Sequence, residues 1–140
     1  MSIWKVPVTA EMINANKKED MVAHLGIEFT EVGEDFIAAR MPVDHRTRQP
    51  FGLLHGGAHV VLAETLGSVG ANLTLDSTKA YAVGLDINSN HLKSVRDGYV
   101  YGVAKPIHIG GTTQVWEIRI SDEKGILLNI SRLTMFVVRH

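Results

Sequence analysis

The sequence predicts an α+β fold in which one antiparallel sheet curls round a long central helix. Three observations carry this. The longest apolar stretch runs from His55 to about Leu75, and that length suits a helix better than a buried strand. Glycines stand in it at 56, 57, 67 and 70, and each costs about 1 kcal/mol against alanine in a helix interior. Repeated small residues there imply a sheet packed very close. Downstream of this stretch the chain reads as four successive strands.

The elements follow in order. Thr9 is placed to cap a short helix over residues 10–18, with Met12, Ile13 and Val22 as buried candidates and Lys17-Lys18 as its solvated end. Gly26 and Gly33 bracket a strand from Ile27 to Val32, and Phe36 to Val43 reads as its antiparallel partner. Pro42 lies near the end of that strand, where a missing N–H is tolerated. Residues 44–54 form an irregular polar segment punctuated by Pro50 and Gly52. Lys79 to Leu92 is a long strand with Tyr81, Val83, Leu85 and Ile87 on one parity. The next runs from Tyr99 to about Ile109. Thr113 to Ser121 alternates cleanly, Trp116, Ile118 and Ile120 opposing Glu117 and Arg119. Asp122 to Gly125 is a turn, and Ile126 to Val138 is the last strand.

Composition narrows the function. The 140 residues are 45% hydrophobic and 21% charged, with net charge −1 and no cysteine. That suits one domain, residues 1–140, with a substantial core and without a linker or an internal repeat. Missing thiols exclude a disulfide scaffold and a cysteine–zinc site. The near-neutral charge argues against nucleic-acid binding. No apolar run reaches membrane-spanning length, and Met1-Ser2-Ile3-Trp4-Lys5 lacks the layout of a secretory signal. A cytoplasmic protein is the expectation.

Chemistry concentrates at the central helix. Glu64 is the only carboxylate between Asp44 and Asp76, set among Val60, Val61, Leu62, Ala63 and Leu66. A carboxylate is costly to bury uncompensated, so it faces solvent, has a partner or lines a site. A solvated glutamate on an amphipathic helix is the plain alternative, but the neighbours that would form a polar face are mostly Gly, Ala and Val. At the helix start, His55-Gly56-Gly57 combines unpaired N–H groups with a backbone that a ligand can approach closely, which suits a developing oxyanion. The same glycines would equally serve a tight turn. Gln49, just upstream, can donate to a carbonyl. Ser68 lies one turn beyond Glu64 on the same face.

Spacing adds a constraint. Gly56 and Glu64 are eight residues apart, about 12 Å along a helix axis. One reacting carbonyl needs its oxyanion donor and its base each within about 3 Å. If both residues are catalytic, the site joins two subunits. Other motifs fare worse. His55 and His59 have the i, i+4 spacing of metal ligands, but Gly56 stands where HExxH has glutamate, so no metal is expected. Ser68 lacks the first glycine of a G-x-S-x-G elbow, and neither a G-x-G-x-x-G nor a P-loop occurs. A further polar cluster, Asn88 to Arg96 with Lys105 nearby, offers donors and cations suited to phosphates, or else a solvated strand end.

Gln49-Pro50-Phe51-Gly52-Leu53-Leu54-His55-Gly56-Gly57-Ala58, followed by Ala63-Glu64-Thr65-Leu66-Gly67-Ser68, closely resembles the hotdog-fold acyl-CoA thioesterases, in the phenylacetate-pathway and 4-hydroxybenzoyl-CoA branch that uses a helix glutamate. The likeness extends from Ile3-Trp4-Lys5 through Met41-Pro42-Val43-Asp44 and Asp86-Ile87-Asn88-Ser89-Asn90-His91 to Ser131-Arg132-Leu133-Thr134. It implies Glu64 as nucleophile or general base, the Gly56 N–H as oxyanion donor, His55 and Gln49 as groups that place and polarise the thioester carbonyl, and Ser68 as an assistant near Glu64. It implies coenzyme A contacts at Gly84, at His91, Leu92, Lys93 and Ser94, at Arg96, and along the turn His108, Ile109, Gly110, Gly111, Thr112 and Thr113. It also implies a homo-oligomer, a dimer of dimers, and no cofactor, since coenzyme A is part of the substrate. The expected substrate is an aromatic acyl-CoA, such as the 1,4-dihydroxy-2-naphthoyl-CoA of menaquinone biosynthesis or a benzoyl-CoA. The alternatives are proofreading of aryl groups on a carrier protein and a non-catalytic acyl-CoA-binding domain. A hotdog dehydratase would carry a catalytic His and Asp instead. Relatives often place a small residue at position 59, where this chain has His59.

Overall fold

The computed structural model describes residues 1–16 and 18–140. The central helix α3 spans Gly56–Leu73, and from Ala58 to Leu73 every residue is buried or half-buried. An element without a solvated face must be covered, and the sheet does this. Strands β1 (Glu28–Val32), β2 (Ile37–Pro42), β3 (Ala80–His91), β4 (Tyr99–Ile109), β5 (Thr113–Ser121) and β6 (Leu127–Arg139) form one antiparallel sheet. Its order is β1-β2-β4-β5-β6-β3, and α3 packs on β2 to β6. The long strand that follows the helix is therefore an edge strand, placed there by a crossover.

The glycines of the helix do what their number implied. A methyl group on Gly67 would lie 2.5 Å from Leu133 Cδ2, and one on Gly70 would lie 2.9 Å from the Trp116 ring. Ala63 and Ala71, fully buried, keep the same spacing. Trp116 in turn donates its indole N–H to Gln114 Oε1 at 2.9 Å, Gln114 Nε2 donates to Thr74 Oγ1 at 2.9 Å, and Thr74 Oγ1 donates to the Ala71 carbonyl at 2.7 Å. This chain of bonds ties the helix end to the sheet and satisfies the polar atoms that the core would otherwise penalise. Asn72 makes the matching tie to the edge strand: its amide accepts from Ala82 N at 2.8 Å and donates to Ala82 O at 3.0 Å.

Strand positions agree with the sequence reading to within a residue or so. Two local expectations need correction, and two further features were not read from the sequence. The first helix, α1, spans Ala10–Ala15 rather than 10–18. Thr9 caps it as expected, through Oγ1 accepting from Met12 N, but Asn16 already leaves the helical region at ψ 38°, and Lys17 lies outside the described residues. Met12 is 56% exposed, because α1 turns Ile13 towards the core instead. A second short helix, α2 (Met21–His24), was not expected; Asp20 caps it by accepting from Ala23 N at 2.9 Å. The Tyr81, Val83, Leu85 parity of β3 faces outward, and Ala80 and Ala82 supply the core. No helix is long and apolar enough to cross a membrane among the described residues.

Because Gly70 sits against a ring that cannot retreat, Gly70→Val is expected to lower stability by about 1–3 kcal/mol through overpacking, read as a lower midpoint in urea unfolding.

Candidate active site

One end of the site is the start of α3. The segment before it is held by its own backbone: Leu54 N donates to Val95 O at 2.9 Å and His55 N to Thr47 O at 2.7 Å. Gln49 Oε1 accepts from Phe51 N at 2.6 Å and Leu53 N at 3.3 Å. With its oxygen so engaged, Gln49 keeps its NH₂ group as a donor. His55 is the N-cap of α3 and accepts from Gly57 N through Nδ1 at 2.7 Å, which leaves the proton on Nε2. Gly56 is the first residue of the helix, so its N–H has no acceptor within the helix, and the dipole places partial positive charge there. Gln49, Gly56, His59 and His91, with Leu92 to Ser94, line a cleft of about 320 Å³. Arg96 lies beside it, its guanidinium 3.5 Å from the Phe51 carbonyl oxygen.

The other end is Glu64. It is half-buried on the stripe of α3 that the sheet leaves least covered, and its carboxylate lies against Gly84 of β3, where an added Cβ would collide with Oε2. Glu64 and Ser68 line a second cleft of about 380 Å³, with Val22, Thr65 and Val69. Those last three residues also line a larger apolar chamber of about 440 Å³ beneath α1 and α2.

The structure thus sorts the sequence-derived residues into two groups. Gln49, His55, Gly56, His91 to Ser94 and Arg96 gather at one end of β3. Glu64, Ser68 and Gly84 gather further along it, and the two clefts share no lining residue. The 108–113 turn belongs to the second group. Thr113 pairs with Phe136, which pairs with Val83, whereas His91 pairs with Asn129 and Asn129 with Ile120. Gly84 and His91 are seven positions apart along the strand, about 23 Å. The i, i+4 pair His55 and His59 is not arranged as metal ligands, since the cap occupies His55 Nδ1 and the His59 ring is buried against His91 at a centroid distance of 5.7 Å.

Three residues escaped the sequence reading or went without a role in it. Asn72 fixes β3 opposite α3 and so sets Gly84 against Glu64. Asn129, fully buried, contacts His91 Nδ1 through its amide nitrogen at 3.0 Å. His59 is 3% exposed, and its Nδ1 has no hydrogen-bond partner among the described residues. Its i, i+4 spacing with His55 and its departure from the resemblance marked His59, but neither pointed to this placement. Nothing in the sequence marked the two asparagines, whose partners lie 10 and 38 residues away.

A family profile described as the thioesterase superfamily matches residues 51–129. The chain is 52% identical over 136 residues to the 1,4-dihydroxy-2-naphthoyl-CoA hydrolase of Escherichia coli, a match that covers 97% of this chain and 99% of that protein. It is 48% identical to the proofreading thioesterase EntH of Cronobacter turicensis, with 97% and 98% covered. A crystal structure of a mutant of thioesterase PA1618 from Pseudomonas aeruginosa superposes with a TM-score of 0.97 at 48% identity, covering 99% of this chain and 100% of that one.

Burial, and then the nearness of His91, pushes the His59 imidazole down from 6.5 to about 4. The unfolded chain takes up this proton as pH falls through 6.5, whereas the folded protein does not until about 4. Stability is therefore expected to decline across that window by roughly 3 kcal/mol at most. His59→Phe should flatten this decline in urea unfolding measured at pH 7, 5.5 and 4.5.

Proposed function

This chain belongs to the thioesterase superfamily, has the hotdog fold and hydrolyses thioesters, and from that premise we propose that it cleaves an aromatic acyl-CoA at a site completed by two copies of the chain. The observation that carries this is the division of the candidate residues between two clefts at separate ends of one edge strand. Neither cleft alone holds both a carboxylate and an oxyanion donor.

The edge strand offers the means of joining them. β3 is twelve residues long and, among the described residues, unpaired on its outer side, with Val83 and Leu85 exposed on it; such an edge pairs readily with another chain. Antiparallel pairing of two copies about an axis between Ile87 and Asn88 sets Gly84 of one opposite His91 of the other. Glu64 then faces the Gly56 end of its partner, and the 108–113 turn approaches the partner's Lys93 and Arg96. A dimer of dimers would build on this unit.

At such a site each group has one task. The Gly56 N–H, with Gln49 and His55, receives the charge that develops on the thioester oxygen. Glu64 supplies the anionic oxygen, either attacking the carbonyl carbon or taking a proton from the attacking water, with Ser68 nearby. The thiolate of coenzyme A leaves readily, so the reaction asks for no strong general acid and no cofactor. Lys93 and Arg96 suit its phosphates. The apolar chamber that continues from the Glu64 cleft suits an aryl group. The similarity to the naphthoyl-CoA hydrolase supports an aromatic acyl-CoA as substrate, and a place in menaquinone synthesis, in the cytoplasm, is part of the same proposal. The similarity to EntH supports carrier-bound aryl thioesters as the second reading.

Free-thiol release over a panel of aromatic, aliphatic and carrier-bound thioesters tests this. Aromatic acyl-CoA should rank first, and Glu64→Gln should lose at least about 10³-fold in kcat, roughly 4 kcal/mol. Turnover confined to carrier-bound thioesters would favour the second reading. Gly84→Ala, which displaces the carboxylate without removing it, is expected to lower kcat about tenfold or more. Co-expressed Glu64→Gln and Gln49→Ala chains should regain about a quarter of wild-type activity, because half of random dimers are mixed and each of these holds one intact site. No recovery would mean that the site is complete within one chain.

A further inference from the structure

His91 stands in the sequence reading as a coenzyme A contact, yet its ring lies at the start of α3. A Cβ added to Gly56 would meet His91 Nε2 at 2.8 Å. The other ring nitrogen is held from behind. Asn129 Nδ2 donates to Ser89 Oγ at 2.8 Å, and Asn129 Oδ1 accepts from Ser131 Oγ at 2.9 Å. In this orientation of the amide, the remaining N–H of Asn129 points at His91 Nδ1, 3.0 Å away. Nδ1 is then the acceptor, and the proton resides on Nε2, beside Gly56.

His59 closes the arrangement from the helix side. Its ring sits 5.7 Å from that of His91 with 40° between the planes, and it is 97% buried by its 3% exposure. Its Nδ1 has no partner among the described residues, which is costly for a buried ring nitrogen, and a role for the ring in holding His91 accounts for that cost. His91 itself is exposed towards the cleft shared with Gln49 and Gly56.

We propose that His91 is a catalytic residue, its Nε2–H a second donor to the thioester oxygen beside the Gly56 amide, and that Asn129 and His59 are positioning residues that fix its tautomer and hold its ring there. This rests on the oxyanion role given to Gly56 above. Two directed donors receive the charge of a tetrahedral intermediate better than one amide, and a ring locked in one tautomer needs no reorganisation when that charge appears. His59 and Asn129 act only through His91.

The test is a set of kinetic cycles with the aromatic acyl-CoA that the panel ranks first, each variant checked for folding by circular dichroism. His91→Ala should lower kcat about tenfold or more with KM changed less than about threefold, and His91→Gln, which keeps an N–H donor, should regain most of it. Asn129→Ala and His59→Ser should each lower kcat severalfold in the wild-type background and have no effect in the His91→Ala background. A His91→Ala defect confined to KM would overturn the proposal, as would Asn129 or His59 losses that persist without His91. Imidazole ¹⁵N NMR of the wild-type protein needs no variant: a proton on His91 Nε2 supports the proposal, and one on Nδ1 overturns it. Should Glu64→Gln retain full kcat, the thioesterase site itself lies elsewhere, a result distinct from either failure.

Discussion

The structure depends on one constraint: an eighteen-residue helix without a solvated face must be enclosed. Enclosure requires the sheet to curl, and curling requires close approach along the helix. Gly67 and Gly70 allow it, because Leu133 and Trp116 occupy the space their side chains would fill. The glycines are unfavourable in an isolated helix. Here the packing they permit offsets that cost, through the fully buried Leu62, Leu66, Trp116, Ile118 and Leu133.

The same geometry distributes the chemistry. A helix running across a sheet exposes its first turn at one edge, so Gly56 and the cap made by His55 come to lie near the end of β3. Two turns later, Glu64 emerges where the sheet's cover is thinnest and meets the same strand at Gly84. One strand thus carries both halves of the candidate site, at a separation that a single reacting carbonyl cannot bridge. The polar ties made by Asn72 and Asn129 keep these positions accurate, since each anchors β3, one to the helix and one through β6.

Legibility followed the range of the interactions. The helix and the strands of the second half were readable because period and glycine content are local properties. So was the spacing of Gly56 and Glu64, which is arithmetic on a helix. The end of α1 was less so, since Asn16 leaves the helix although Lys17, Lys18 and Glu19 that follow are good helix formers by type. The outward parity of β3 was unreadable because alternation identifies two faces without saying which is covered. Edge position decided that, and strand order depends on contacts far apart in sequence.

By itself, then, the sequence determined the strands, the buried helix and the candidate residues for thioester chemistry, all properties of residues within a turn or two of one another. Tertiary structure alone decided that β3 is an edge, that Gln49 and Gly56 line one cleft while Glu64 lines another, and that His91 is pinned between His59 and Asn129. The physical reason is the wrapping itself. Curling a sheet about a helix brings residues 59, 91 and 129 together, and no local pattern records that meeting.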